Sequence, residues 1–147
     1  MKKLLKYTAC LAMLVMVLAL FTGCADKATG GGWFYDKAGG EVENKVTFGF
    51  NAQRVEECVY KGQFQAVNHG TGEKFHMNEI IFAEPIGFVT VNFLGQDKNG
   101  DWVDVTVTDL GEPGASEGDW IVILHEAYGI WKGSLEGGNI QLHEEKD

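Results

Sequence analysis

The chain has 147 residues and a formal net charge of −9, and Arg54 is its only arginine. Contacts to phosphate need a basic patch, so this balance argues against nucleic acid and against anionic polymers as partners. The length suits one domain.

The first 23 residues have the layout of an export signal, with Lys2, Lys3 and Lys6 ahead of an apolar run from Cys10 to Phe21. Phe21-Thr22-Gly23-Cys24 resembles a bacterial lipobox, with Phe21 where Leu is usual. The resemblance implies cleavage before Cys24 and acylation of that cysteine, which would hold the protein on the outside of the cell membrane through lipid. Acyl chains contribute about 0.8 kcal/mol per buried CH₂, and two or three chains anchor stably. The alternatives are an ordinary signal peptide or an uncleaved anchor. Removing the three lysines takes the net charge from −9 to −12. Cys10 leaves with the signal and Cys24 takes lipid, so Cys58 stands alone, expected as a small buried apolar residue. An exported domain without a disulfide relies on its hydrophobic core.

Residues 24–32 are small, polar and glycine-rich, and read as a tether. A single antiparallel β domain is expected over residues 33–147. Trp33-Phe34-Tyr35 reads as a first strand, and Val46, Phe48 and Phe50 alternate through a second. Residues 51–57 read as a loop or a helical turn. Alternation resumes from Cys58 to Asn68, where Gly62 marks a bulge or a close backbone contact, and again from Phe75 to Phe82. Val89, Val91 and Phe93 share one face of the next run, and Val103, Val105 and Val107 share one face of its partner. Asn99-Gly100 between them predicts a two-residue hairpin turn. Asp119 to His125 is apolar on both faces, which predicts a covered strand with Trp120 in the core. Ile130–Ser134 and Asn139–His143 complete about nine short strands of an all-β sandwich or barrel-like domain.

Four strings in this order resemble a post-COAP type domain, a glycine-rich β module of exported bacterial proteins. They are Phe48-Gly49-Phe50-Asn51-Ala52, the segment from Val59 to His76, VTVTDLGEPG over 105–114, and SLEGGNIQLH over 134–143. The resemblance spans most of residues 31–143. It implies an appended module of unassigned activity and supplies no catalytic residues to carry over.

Asp97, Asn99, Asp101 and Asp104 place oxygen ligands around one turn, a pattern that suits calcium. The EF-hand pattern fails, because its twelfth position is Thr108. A plain turn uses the same residue types. His69 and His76 flank another turn, but zinc wants three or four ligands. Ser116 and Ser134 lie outside any nucleophile elbow, and no carboxylate pair stands out for glycoside hydrolysis.

Trp102 shares its strand face with Asp104 and Thr106, on the side away from the valines. A tryptophan on a wetted face stacks on a sugar ring or anchors a protein, and Trp33, Tyr128 and Trp131 would extend such a patch. The alternative packs Trp102 across a neighbouring strand. The sequence thus predicts a non-catalytic, lipid-anchored interaction module that needs no cofactor, with cell-envelope polysaccharide or a surface protein as partner. A carbohydrate-binding domain with a calcium or zinc site is the alternative, ahead of a cell-envelope hydrolase.

Overall fold

The computed structural model describes residues 26–37, 43–56, 59–87 and 89–143. The expected signal segment, Cys24 and Cys58 lie outside them. Eight antiparallel strands follow in sequence order: β1 (Lys27–Asp36), β2 (Asn44–Glu56), β3 (Val59–Asn68), β4 (Lys74–Pro85), β5 (Thr90–Asp97), β6 (Trp102–Thr108), β7 (Trp120–His125) and β8 (Gly129–His143). Each strand pairs with the next and β8 pairs back with β1, which closes a barrel. One helical turn, α1 (Gly114–Glu117), interrupts the β6–β7 connection.

The alternation seen in the sequence sorts the side chains. Val46, Phe48, Phe50 and Ala52 of β2 are buried, as are Phe64 and Ala66 of β3 and Val103, Val105 and Val107 of β6. Between them Asn51, Gln53, Lys61, Gln63 and Gln65 are exposed. A membrane-spanning barrel carries an apolar band outside and polar groups within. Here the order is reversed, so the wall faces water. Phe48, Phe50, Phe64 and Phe75 form a ladder of stacked rings with centroids 5.8–6.4 Å apart. Those rings and the β-branched side chains fill the interior, as the taper of a small barrel requires.

Four readings of the sequence need correction. The glycine-rich stretch expected as a tether is strand from Lys27 onward, paired on one side with β2 and on the other with β8. Gly30 and Gly32 face inward opposite Phe50 and Phe48, and a Cβ on Gly30 would run into the Phe50 ring. Residues 51–56 continue β2 rather than turning, because Ala52 keeps the buried phase of Phe50. The two closing strands are one, bent at a bulge that leaves Glu136 unmatched between Trp33↔Gly137 and Phe34↔Leu135. Trp120 is half-buried on the outer face rather than in the core, since Ile121 and Ile123 take the inner one and a barrel wall has no second layer. Gly62 is a close contact: a Cβ there would strike the backbone of Asn51 and Ala52.

Candidate functional site

The β5–β6 hairpin closes through residues 98–101, not through two residues. Asp97 N–H donates to the Asp101 carbonyl, Gly100 N–H donates to the Asp97 carbonyl, and Gly100 takes φ 87°. Asp97 points inward, where its Oδ1 accepts the N–H groups of Asn99 (2.7 Å) and Asp101 (3.1 Å). Burial alone would raise the Asp97 pKa. Those two N–H groups and the neighbouring His125 outweigh it and hold the carboxyl below its ordinary value.

The expected calcium set does not converge. Asp97 lies on the buried face, whereas Asp104 lies on the outer face and accepts from the Asn92 amide. Asp97, Asp101 and His125 do come together, with one ligand atom of each within 4.8 Å of the others. His125 ends β7 with its side chain fully enclosed, between Phe75 (4.8 Å) and Tyr128 (4.3 Å). Its Nδ1 accepts the Ala127 N–H at 3.1 Å, so the ring hydrogen of the neutral imidazole sits on Nε2. Nε2 has no aligned partner among the described residues, and Asp97 Oδ2 lies 3.4 Å away. A metal-bound histidine donates from its second nitrogen. Here that nitrogen already faces a donor, so Nε2 offers Asp97 a hydrogen and offers a cation no lone pair. The trio fits a buried His–Asp contact better than a metal centre.

His69 and His76 serve different partners. Nε2 of His69 lies 2.9 Å from Thr47 Oγ1, and Nε2 of His76 lies 3.2 Å from Gln63 Oε1. The expected aromatic patch also divides. Trp131 is buried at 3% exposure, and Tyr128 stacks on it and on His125 at the barrel's end. Neither extends the surface around Trp102.

Trp102 itself is 45% exposed on the outer face. Leu124 of β7 faces Ile130 of β8 in register and sits diagonally across from Trp102 of β6. Diagonal partners on one face lie about 7–8 Å apart, within reach of an indole. All three are more than two-fifths exposed. Asp104 and Thr106 continue this wall, bridged by the Asn92 amide. Glu126 borders it, accepting the Trp102 N–H at 2.9 Å.

The strings VTVTDLGEPG and SLEGGNIQLH meet along one seam. Asp119 accepts the N–H groups of Leu110 and Ile140, and Asp109 accepts that of Leu142. Glu112 accepts from the amides of Asn139 and Gln141, and Asn139 Oδ1 accepts the Gly114 N–H. The cluster strings the connecting loop to β8 and spends its carboxylates on backbone and amide donors. Asp119 was missed from sequence, as was the inward aim of His125. Counting by twos from Ile121 places His125 inside.

Comparison with family models, curated proteins and solved structures returned no match.

Proposed function

We propose that the barrel is the non-catalytic, extracytoplasmic interaction module of a lipoprotein held to the membrane through acylated Cys24. The observation that carries the reading is the exposed Trp102–Leu124–Ile130 surface on the outer wall. With aromatic rings filling the interior, a partner is met on the outside. Aromatic and branched apolar side chains ringed by Asp104 and Glu126 suit a protein contact, because such anchors dominate interface energetics. Asp97, Asp109, Glu112 and Asp119 act as acceptors for structural donors, which supports binding rather than turnover.

The test is photocrosslinking on cells with a photoreactive residue at Ile130. A discrete adduct that disappears with Trp102→Ala supports the module, and its absence sinks it. Metabolic labelling with a fatty acid, lost in Cys24→Ser, tests the anchor.

A further inference from the structure

The opposite wall has another character. In a closed ring of eight strands, β2–β3 stand across from β6–β7. Outward positions along β1, β2 and β3 alternate with the buried ones and include Lys27, Lys45 and Lys61; among the described residues the one exposed carboxylate on these strands is Glu56, at the end of β2. Lys74 of β4 adds a fourth cation beside Val67. This is a concentration of positive charge on a chain whose net charge is −9. The whole-chain balance averages over two unlike walls, so the composition argument against anionic polymers does not hold for this one. Carboxylates gather at its margins: Asp26 is paired to Arg54, Glu56 closes β2, Glu73 precedes Lys74 and accepts from Thr71, Glu79 is exposed further along β4, and Glu112 is tied to Asn139 and Gln141.

Between the lysines the surface is mostly amide and hydroxyl, with the Trp33 ring 4.3 Å beneath the Lys45 ammonium and His76 against Gln63. Asn51 and Gln63 stand opposite each other, and Gln65 stands next to Gly49. Gly31 and Gly49 are paired at the centre. A Cβ on Gly49 would meet only the Gln65 amide, at 3.8 Å, and one on Gly31 would approach nothing closer than 3.6 Å. Packing therefore does not demand glycine at either place, unlike Gly30 or Gly62. Their effect is a flat floor about 5 Å wide per strand, with Lys61 and Lys74 about 20 Å apart along β3.

We propose that this wall binds a strand of acidic polysaccharide, a reading that rests on the barrel being a binding module. Lysines at both ends neutralise its carboxylates, the amides pair with its hydroxyls, and the glycine floor admits its backbone. Charge complementarity selects this occupant over a neutral glycan, and the amides between the lysines select it over a polyanion without hydroxyls.

The experiment uses the full chain in detergent micelles, co-sedimented with polygalacturonate, dextran or polyphosphate. Retention on polygalacturonate alone is expected. Lys27→Gln with Lys61→Gln should weaken it about tenfold. Gly49→Val should abolish it without lowering the melting temperature, since valine suits a strand and has room here. Trp102→Ala should leave it unchanged. Equal retention on dextran or polyphosphate overturns the proposal, as does retention that survives Gly49→Val. Retention lost with Trp102→Ala but not with Gly49→Val also overturns it while leaving the module intact. No retention on any polymer overturns it too, and the crosslinking at Ile130 then decides the module separately.

Discussion

Asp119 Oδ2 accepts the Ile140 N–H at 2.9 Å from a side chain with no exposed surface, joining the start of β7 to β8 close to where β8 meets β1. Its other oxygen accepts the Leu110 N–H at 2.8 Å. Removing the carboxyl orphans both donors, and a buried donor without a partner costs about 1–3 kcal/mol. Asp119→Ala is therefore expected to destabilise the barrel by about 3 kcal/mol in urea unfolding. A loss under about 1 kcal/mol would mean that water or another group takes over the donors.

The same carboxyl gives stability a pH dependence. Burial pushes its pKa above the ordinary 3.8, with Asp109 and Glu112 adding to the push and the two N–H groups opposing it. A raised folded pKa means that the native state holds the proton more tightly than the unfolded chain. Stability then falls as pH rises from 3.8 through the folded value, and is flat above it. Asp119→Asn lacks this decline. The advantage of the wild type over Asp119→Asn should shrink as pH rises above 3.8, and a constant gap would refute the assignment.

Asp97 runs the opposite way. Its folded pKa lies below 3.8, so its contribution is present above that value and is lost as pH falls through the folded one. Wild type should lose stability below pH 3.8 more steeply than Asp97→Asn. The tautomer of His125 adds a second expectation. With Ala127 donating to Nδ1, His125 offers a cation no lone pair and the trio is left with two carboxylates, and a metal bound only by the native state would raise its melting temperature. Chelator should leave the melting temperature unchanged, and added zinc or calcium should not raise it. A rise abolished by His125→Phe would make the trio a metal centre.

How much of this was legible in the sequence depends on whether the signal was local. The inward phase of Val103, Val105 and Val107 and the outward aim of Trp102 follow from alternation within one strand. Three glycines and a lysine looked like tether because composition cannot show that the Phe50 ring fills the space at Gly30 and the β8 backbone at Gly137 the space at Gly32. Trp131 looked available because its phase is set by the pairing of β8 with β7, not by its neighbours in sequence. The contact of His125 with Asp97 joins two hairpins, and the lysine wall appears only when β1 to β4 are laid side by side. Spatial relations of that kind need the register.

Two tryptophans of the expected patch, Trp102 and Trp131, separate cleanly by experiment. Trp131 packs against Phe75 (5.8 Å) and Tyr128 (6.0 Å) at 3% exposure. Its truncation to alanine should cost about 3–5 kcal/mol, whereas Trp102→Ala should fall within about 0.5 kcal/mol of wild type. Comparable losses from both would place Trp102 under a neighbouring segment.

Glycines offer the sharpest contrast, because the barrel uses them in two ways. Gly95 of β5 is buried against Met77 of β4, and a Cβ there would collide with the Met77 thioether and the Glu79 carbonyl oxygen. The thioether can swing aside, but the carbonyl belongs to the irregular stretch of β4 where the register shifts between Met77 and Glu79. Adding one methyl should therefore force the strands apart and cost about 1–3 kcal/mol. Gly49 has open space outside the wall, so Gly49→Ala should be neutral or slightly stabilising through the reduced freedom of the unfolded chain. Melting temperatures of the two alanine variants read the difference directly. If Gly95→Ala proves as benign as Gly49→Ala, the strands at that irregularity are not packed as closely as Met77 and Glu79 require.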